Sequence, residues 1–136
     1  MSKQCLDISQ MQHLKELGVD DSKANFYWHR TKSLNYYNDW DEWKLHYGIL
    51  KLARGFTAIN CEYVRTFTLQ DILDLLPRVI IKDGHYHYFE MYRTEELYYV
   101  GYYWLDNPLV ECKSAEFIDA AYEMLCWVIE NGYLEV

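Results

Sequence analysis

Proline and glycine are scarce in this chain of 136 residues, which contains two prolines and six glycines. No tract rich in these residues separates one part of the sequence from another, so we expect one domain spanning residues 1–136. Cysteine is also sparse, and its wide spacing without a Cys-x-x-Cys pair argues against a zinc or disulfide framework. Instead we expect reduced, mostly buried thiols at Cys5, Cys61, Cys112 and Cys126.

Long apolar runs are lacking as well. No stretch approaches the roughly 18 apolar residues that cross a bilayer. The first residues, MSKQCLDISQMQ, lack the apolar region of a signal peptide. We therefore expect a cytoplasmic protein that does not bind membranes.

Positive charge is in short supply, because 13 Lys and Arg residues stand against 21 Asp and Glu residues and leave a net charge of −8. A protein that binds a duplex by neutralising phosphates has the opposite balance, so we expect no direct contact with nucleic acid. Aromatic residues, by contrast, are abundant: the chain has 14 Tyr, 5 Trp and 5 Phe. Tyrosine is therefore the main compositional feature to be explained.

Helical spacing of apolar residues predicts two short helices. Residues 9–17 form the first, and Gly18 follows as a C-terminal cap in the left-handed conformation. Thr68 is a typical N-cap for the second. Pro77 ends it, because a proline disfavours helical geometry in the residue before it.

The strongest helical pattern covers residues 115–131, with Ser114 as the predicted N-cap and Gly132 as the C-terminal glycine. Its apolar face is broad enough to lie across a sheet. On the opposite side, four acidic residues form a stripe: Glu116, Asp119, Glu123 and Glu130.

Aromatic, β-prone runs predict an antiparallel hairpin from residues 85–92 and 97–105. Residues 79–81 are expected to be extended and to lead into the hairpin through a turn at 82–84. We place Pro108 in the loop that follows the hairpin.

The pattern between the first two helices is weaker. Residues 26–28 favour a strand, a polar turn is expected at 31–33, and a second aromatic run begins at Tyr36. Residues 39–53 fit either a helix or a strand, with Gly48 and the aromatic residues favouring the strand. Together the elements predict an α+β fold, in which an antiparallel sheet carries helices mainly on one face and the chain ends in a long helix.

Few residues suggest chemistry. His85 and His87 point to one face of a predicted strand and offer half of a metal site. They resemble the first cupin motif, but Glu90 follows too closely and lies on the opposite face. Cys61 or Cys112 paired with a histidine is a second possible centre. Since no nucleophile elbow or phosphate-binding loop occurs, we expect neither an enzyme nor a cofactor.

The predicted hairpin supplies the main functional hypothesis. Because a strand presents alternate residues to opposite faces, only one of its aromatic rows can face the helices. Tyrosine and tryptophan combine a large contact area with a polar tip and are enriched at protein interfaces. The candidate interaction surface comprises Tyr98, Tyr102, Trp104, Tyr86 and Tyr88.

Three segments resemble a known group of proteins: LDISQMQHLKELGVDDSKA at 6–24, TFTLQDILDLLPR at 66–78 and FIDAAYEMLCWVIENGYL at 117–134. They are similar to small uncharacterised proteins encoded by phages, prophages and other mobile elements of anaerobic gut bacteria. The resemblance covers about a third of the chain. It implies an accessory protein of unknown function and supplies no functional residues.

The sequence thus leaves two main functional hypotheses, and a metal- or cysteine-dependent enzyme ranks below both. The first is a non-enzymatic accessory protein that binds a protein partner or associates with itself. The alternative is a small acidic inhibitor or immunity-type protein that blocks a basic toxin or nucleic-acid enzyme, which the net charge of −8 favours.

Overall fold

The computed structural model describes residues 2–32, 39–48 and 61–136. Within these ranges it has three α-helices and seven strands, and the strands form two antiparallel sheets. The predicted α+β class with a long C-terminal helix is confirmed. In chain order the elements are α1 (Ile8–Glu16), β1 (Phe26–Thr31), β2 (Lys44–Tyr47), β3 (Cys61–Thr66), α2 (Leu69–Leu75), β4 (Val79–Lys82), β5 (His85–Arg93), β6 (Tyr98–Trp104), β7 (Asn107–Ser114) and α3 (Phe117–Glu130).

The smaller sheet has the order β2-β1-β3. Its β1 contains the strand predicted at 26–28, and the described part of the ambiguous segment 39–53 forms a strand, β2. Trp28 lies opposite Leu45 on β2 and Val64 on β3. Residues 49–53 and the predicted aromatic run at Tyr36 lie outside the described residues, as does the end of the predicted turn at 31–33.

The larger sheet has the order β4-β5-β6-β7, all antiparallel. The predicted hairpin is confirmed as β5 and β6. The predicted turn between β4 and β5 is confirmed too. Asp83 and Gly84 have φ angles of 54° and 78° there, and two consecutive positive values suit the twist of a tight hairpin.

The loop predicted around Pro108 is wrong, because Pro108 lies in strand β7. This strand is at the edge of the larger sheet, where a residue without an N–H group is tolerated. The pairing also shifts by one residue there: Tyr102 lies opposite Val110 and Tyr103 opposite Pro108, which leaves Leu109 as the extra residue of a β-bulge.

The ends of the two short helices follow the prediction. Asp7 caps α1 through a capping box with Gln10, and Gly18 follows with a φ of 96°. Thr68 caps α2 in the same way, its side chain accepting from the Asp71 N–H. The helix ends at Leu75, before Pro77, as proline requires.

Helix α3 confirms the long C-terminal helix and its final glycine, since Gly132 has a φ of 78°. The predicted N-cap is wrong: Glu116 holds that position, and its side chain makes no capping hydrogen bond. Ser114 is still part of the sheet, paired with Tyr98. Strand β7 therefore extends as far as Ser114. Because Ser114 is still in the strand, the N-cap of α3 lies two residues later, at Glu116.

The core lies where α3 packs against β6, β7 and α2. Val100 and Ile80 enter it from the larger sheet, and Met124 and Leu125 enter it from α3. The smaller sheet is joined to the N-terminal segment at Leu6, whose carbonyl accepts from Trp28 and from Thr66 at 2.8 and 2.7 Å. No helix in the described ranges is both long enough and apolar enough to span a membrane.

Candidate protein-interaction surface

The two faces of the larger sheet differ in what covers them. The face toward the helices, the inner face, carries Tyr98, Val100, Tyr102 and Trp104 on β6. Val100 and Tyr102 have no exposed surface, and Tyr102 donates a 2.6 Å hydrogen bond to the Pro77 carbonyl. This row therefore belongs to the core.

Three of the five predicted surface residues lie on this inner face. Tyr102 is fully buried, so its assignment to an interaction surface is wrong. Tyr98 is half-buried, with its ring 4.0 Å from that of Phe117 on α3. Trp104, at the end of the strand, is partly exposed but stacks on His85 at 4.2 Å. Both rows of β6 are aromatic, so alternation alone does not tell which row meets the helices.

The opposite face of the larger sheet is exposed and rich in tyrosine. Tyr86 and Tyr88, the remaining two predicted residues, are 52% and 57% exposed there. Ile81 lies opposite Tyr86 and is 56% exposed, and Tyr92 further along β5 is 42% exposed. We call this surface the outer tyrosine face; it comprises Val79, Ile81, Tyr86, Tyr88, Glu90, Tyr92, Tyr99, Gly101, Tyr103, Glu111 and Lys113. Of its tyrosines, Tyr103 is buried, with 8% of its surface exposed.

Gly101 lies at the centre of the outer tyrosine face. The register places it opposite Glu90 on β5 and opposite Glu111 on β7. Because Gly101 has no side chain, the Tyr103 ring folds over it: a Cβ atom at this position would lie 2.6 Å from the ring carbon Cζ. The ring thus fills the gap between the two carboxylates.

Glu111 organises the tyrosines around this centre. Its Oε2 accepts hydrogen bonds from the hydroxyls of Tyr92, at 3.0 Å, and Tyr103. Tyr92 also stacks on Tyr99, with ring centres 4.6 Å apart and planes within 5°. Desolvation and the hydrogen bond to Glu111 raise the pKa of Tyr92 and of Tyr103 above the ordinary value. Both phenols are therefore neutral donors at physiological pH.

The phenols of Tyr92 and Tyr103 act here as hydrogen-bond donors. The phenols are committed to Glu111 and hold their protons, so they do not act as bases near neutral pH. The surface offers flat aromatic area with a polar centre, which is typical of protein interfaces and unlike an enclosed small-molecule pocket.

The predicted histidine pair does not converge on a third ligand. His87 has its Nδ1 3.3 Å from the Ile80 carbonyl oxygen, and His85 stacks on Trp104. Across residues 2–32, 39–48 and 61–136, no group of three or more His, Cys, Asp or Glu side chains is placed to hold a metal ion.

The cysteines are free thiols. Cys112 lies on the inner side of β7, and desolvation raises its pKa to about 11. Desolvation also raises the pKa of Cys5 to about 11 and that of Cys126 above its ordinary value. These three sulfurs stay protonated near neutral pH, unlike an activated nucleophile. Cys61 is half-buried in β3.

The acidic stripe of α3 is partly occupied by the N-terminal segment. The Lys3 ammonium donates to Asp119 at 2.8 Å, and the Lys3 backbone N–H donates to Glu116 at 3.2 Å. Glu130 has a carboxylate oxygen 3.8 Å from His13 Nε2. Three of the four acidic side chains therefore have partners within the chain, and they hold the N-terminal segment on α3 more than they form a free acidic surface.

The sequence pattern did not identify Tyr92, Tyr99, Tyr103 or Glu111 as surface residues. Glu111 lies in strand β7, where the sequence pattern predicts a loop. Its signal was present in the sequence, where Val110 and Cys112 alternate with charged residues in the manner of a half-buried strand.

Known protein families, curated proteins and solved structures show no match to this chain.

Proposed function

We propose that the chain is a non-enzymatic accessory protein that binds a protein partner through the outer tyrosine face. The observation that carries this proposal is the exposure of Ile81, Tyr86, Tyr88 and Tyr92 together on one sheet face. Scattered exposed apolar residues are ordinary on a protein surface, whereas several on one face are typical of a binding site.

Tyr86 and Tyr88 are the anchors of the proposed interface. Tyr92 and Tyr99 stack on each other and so already use part of their surface within the sheet. Tyr86 and Tyr88 lie instead opposite the aliphatic Ile81 and Val79 at the β4 side, and both are more than half exposed. A partner that covers them removes a large aromatic area from water, the main driving force of association.

The partner we favour is a different protein rather than a second copy. Two copies each carry a net charge of −8 and repel each other at low salt. The same charge favours the second candidate function, an acidic inhibitor or immunity-type protein that blocks a basic toxin or nucleic-acid enzyme. Both functions fit a cytoplasmic accessory protein of phage or mobile-element origin, as the sequence resemblance implies.

The test compares two variants in affinity purification followed by reconstitution with the purified partner. Tyr86→Ser with Tyr88→Ser is expected to lose the partner. Tyr63→Ser, which removes a 42% exposed tyrosine from the smaller sheet, is expected to retain it. If the double variant retains every interaction of the wild-type chain, the proposed function is wrong.

A further inference from the structure

The geometry points to arginine side chains of the partner as the chemical group that the outer tyrosine face recognises. This inference rests on the proposed function and adds the chemistry of the partner. It comes from the way in which tyrosine rings and two carboxylates alternate on an exposed sheet face.

The two carboxylates provide the charge. Glu90 and Glu111 flank Gly101 on neighbouring strands, which places them about 9–10 Å apart across the sheet. Among the described residues neither forms an ion pair. Lys113 lies on the same face opposite Tyr99, so the surface carries two negative charges and one positive charge. Its net charge is negative and complements a basic partner.

The tyrosines provide the preference for arginine over lysine. A guanidinium is planar and stacks on an aromatic ring while its N–H groups bond a carboxylate, whereas an ammonium is a strongly hydrated point charge. The Tyr92 ring is 42% exposed and lies beside Glu111, to which its hydroxyl donates at 3.0 Å. The Tyr103 ring is only 8% exposed and holds Glu111 in place through its own hydroxyl. A partner arginine can thus meet a ring and a carboxylate together.

The chain already contains this combination elsewhere. The Arg30 guanidinium lies 4.8 and 4.5 Å from the ring centres of Trp40 and Trp43. It also donates to the Glu62 carboxylate at 2.9 Å. On the smaller sheet the arginine comes from the chain itself. Among the described residues, no arginine stacks on a ring of the outer tyrosine face or forms an ion pair with its carboxylates.

The experiment maps the binding of oligo-arginine and oligo-lysine peptides on the labelled full chain by NMR. At about 150 mM salt, where long-range attraction is screened, oligo-arginine is expected to shift the amide signals of Glu90, Gly101 and Glu111. We expect oligo-lysine of equal length to bind at least about fivefold more weakly.

Two matched double variants test whether the Glu90 and Glu111 carboxylates bind the oligo-arginine peptide. Glu90→Gln with Glu111→Gln keeps the side-chain shape and the oxygen that accepts from the tyrosines, and it is expected to weaken oligo-arginine binding about fivefold to tenfold. Glu95→Gln with Glu96→Gln removes the same charge from the exposed β5–β6 turn and is expected to leave binding unchanged.

Several results would overturn the inference. Equal affinity for both peptides, or an equal loss in the two double variants, would show diffuse charge attraction. Binding of single-stranded DNA at the same amides, or a dimer of the chain that the Gln variants disrupt, would assign the surface to another occupant. A partner lost with Tyr86→Ser and Tyr88→Ser but kept with the Gln variants would support the interface and reject arginine recognition.

Discussion

Gly101 shows how one missing side chain organises a surface. Because the position is empty, the Tyr103 ring lies flat over the strand and its hydroxyl reaches Glu111. The glycine has no positive φ, so its role is to leave space and not to permit an unusual backbone. The centre of the outer tyrosine face therefore depends on a residue that contributes no side-chain contact.

Replacing Gly101 with alanine tests this role. The new Cβ lies 2.5 Å from the Tyr103 hydroxyl oxygen and 2.6 Å from two ring carbons, so the ring must move. We expect Gly101→Ala to lower the free energy of unfolding by about 1–3 kcal/mol in urea denaturation.

The control for this prediction is the Tyr103→Ala background, in which no ring covers the strand. There Gly101→Ala is expected to be neutral or to stabilise by up to about 1 kcal/mol, since alanine loses less backbone entropy than glycine. An equal loss in both backgrounds would contradict the proposed contact with the ring.

Tyr102 has the opposite role, because its hydroxyl is part of the core. Tyr102→Phe removes the donor to the Pro77 carbonyl and leaves that acceptor without its partner. We expect a loss of about 1–2 kcal/mol in the free energy of unfolding. Tyr86→Phe, at an exposed position, is the matched control and is expected to change it by less than about 0.5 kcal/mol. Similar effects of the two changes would contradict the buried hydrogen bond.

Residue chemistry indicated tyrosine as the candidate interaction feature, but it did not separate Tyr86 and Tyr88 from Tyr102. All three lie in aromatic runs that favour a β-strand. Their exposure differs because Tyr102 lies under the helices, whereas Tyr86 and Tyr88 lie on the far side of the sheet.

At the scale of the element, local signals predicted the helices and the central hairpin well. Turn residues such as Asp83 and Gly84 act within a few positions of the chain. The predictions failed where pairing overrode the local signal. Pro108 indicated a loop, and Ser114 indicated a helix cap, but both lie in β7 because that strand pairs with β6.

The two candidate caps give a direct comparison. Thr68 accepts from the Asp71 N–H and caps α2, so Thr68→Ala is expected to cost about 1 kcal/mol. Ser114 also accepts a hydrogen bond, at 3.3 Å from the Glu116 N–H against 3.2 Å at Thr68. It lies outside α3, however, so Ser114→Ala is expected to cost about 0.5 kcal/mol or less. Thermal or urea unfolding measures both, and a larger cost at Ser114 would contradict the assignment of the cap.

At the scale of the whole molecule, burial of titratable groups predicts sensitivity to alkali. The pKa values of Cys5 and Cys112 are raised to about 11 by burial, so the folded state holds these protons more tightly than the unfolded chain. The contribution of these thiols to the free energy of unfolding is therefore fully present below the unfolded pKa of about 9. It is lost as the pH rises through about 11. Buried Tyr102 and partly buried Tyr122 also have raised pKa values and add to the loss above about pH 10.

Urea unfolding between about pH 8 and pH 10 in a reducing buffer measures this effect, which is at most about 1.4 kcal/mol per pH unit for each thiol. Cys112→Ala is expected to make the decline with pH shallower. The control, Val110→Ala on the same strand, lowers stability without changing that slope. An unchanged slope for Cys112→Ala would contradict a buried, protonated thiol.

The α+β class, the three helices and the central hairpin were predictable from the sequence, because hydrophobic spacing, caps and turn residues act over a few neighbouring positions. The packing of the elements sets which tyrosine row is buried, since that depends on the side of the sheet against which α3 lies. It also brought Glu111 beside Tyr92 and opposite Gly101, through the pairing of β7 with β6. Strand pairing joins residues that are distant in sequence, so no local pattern carries that information.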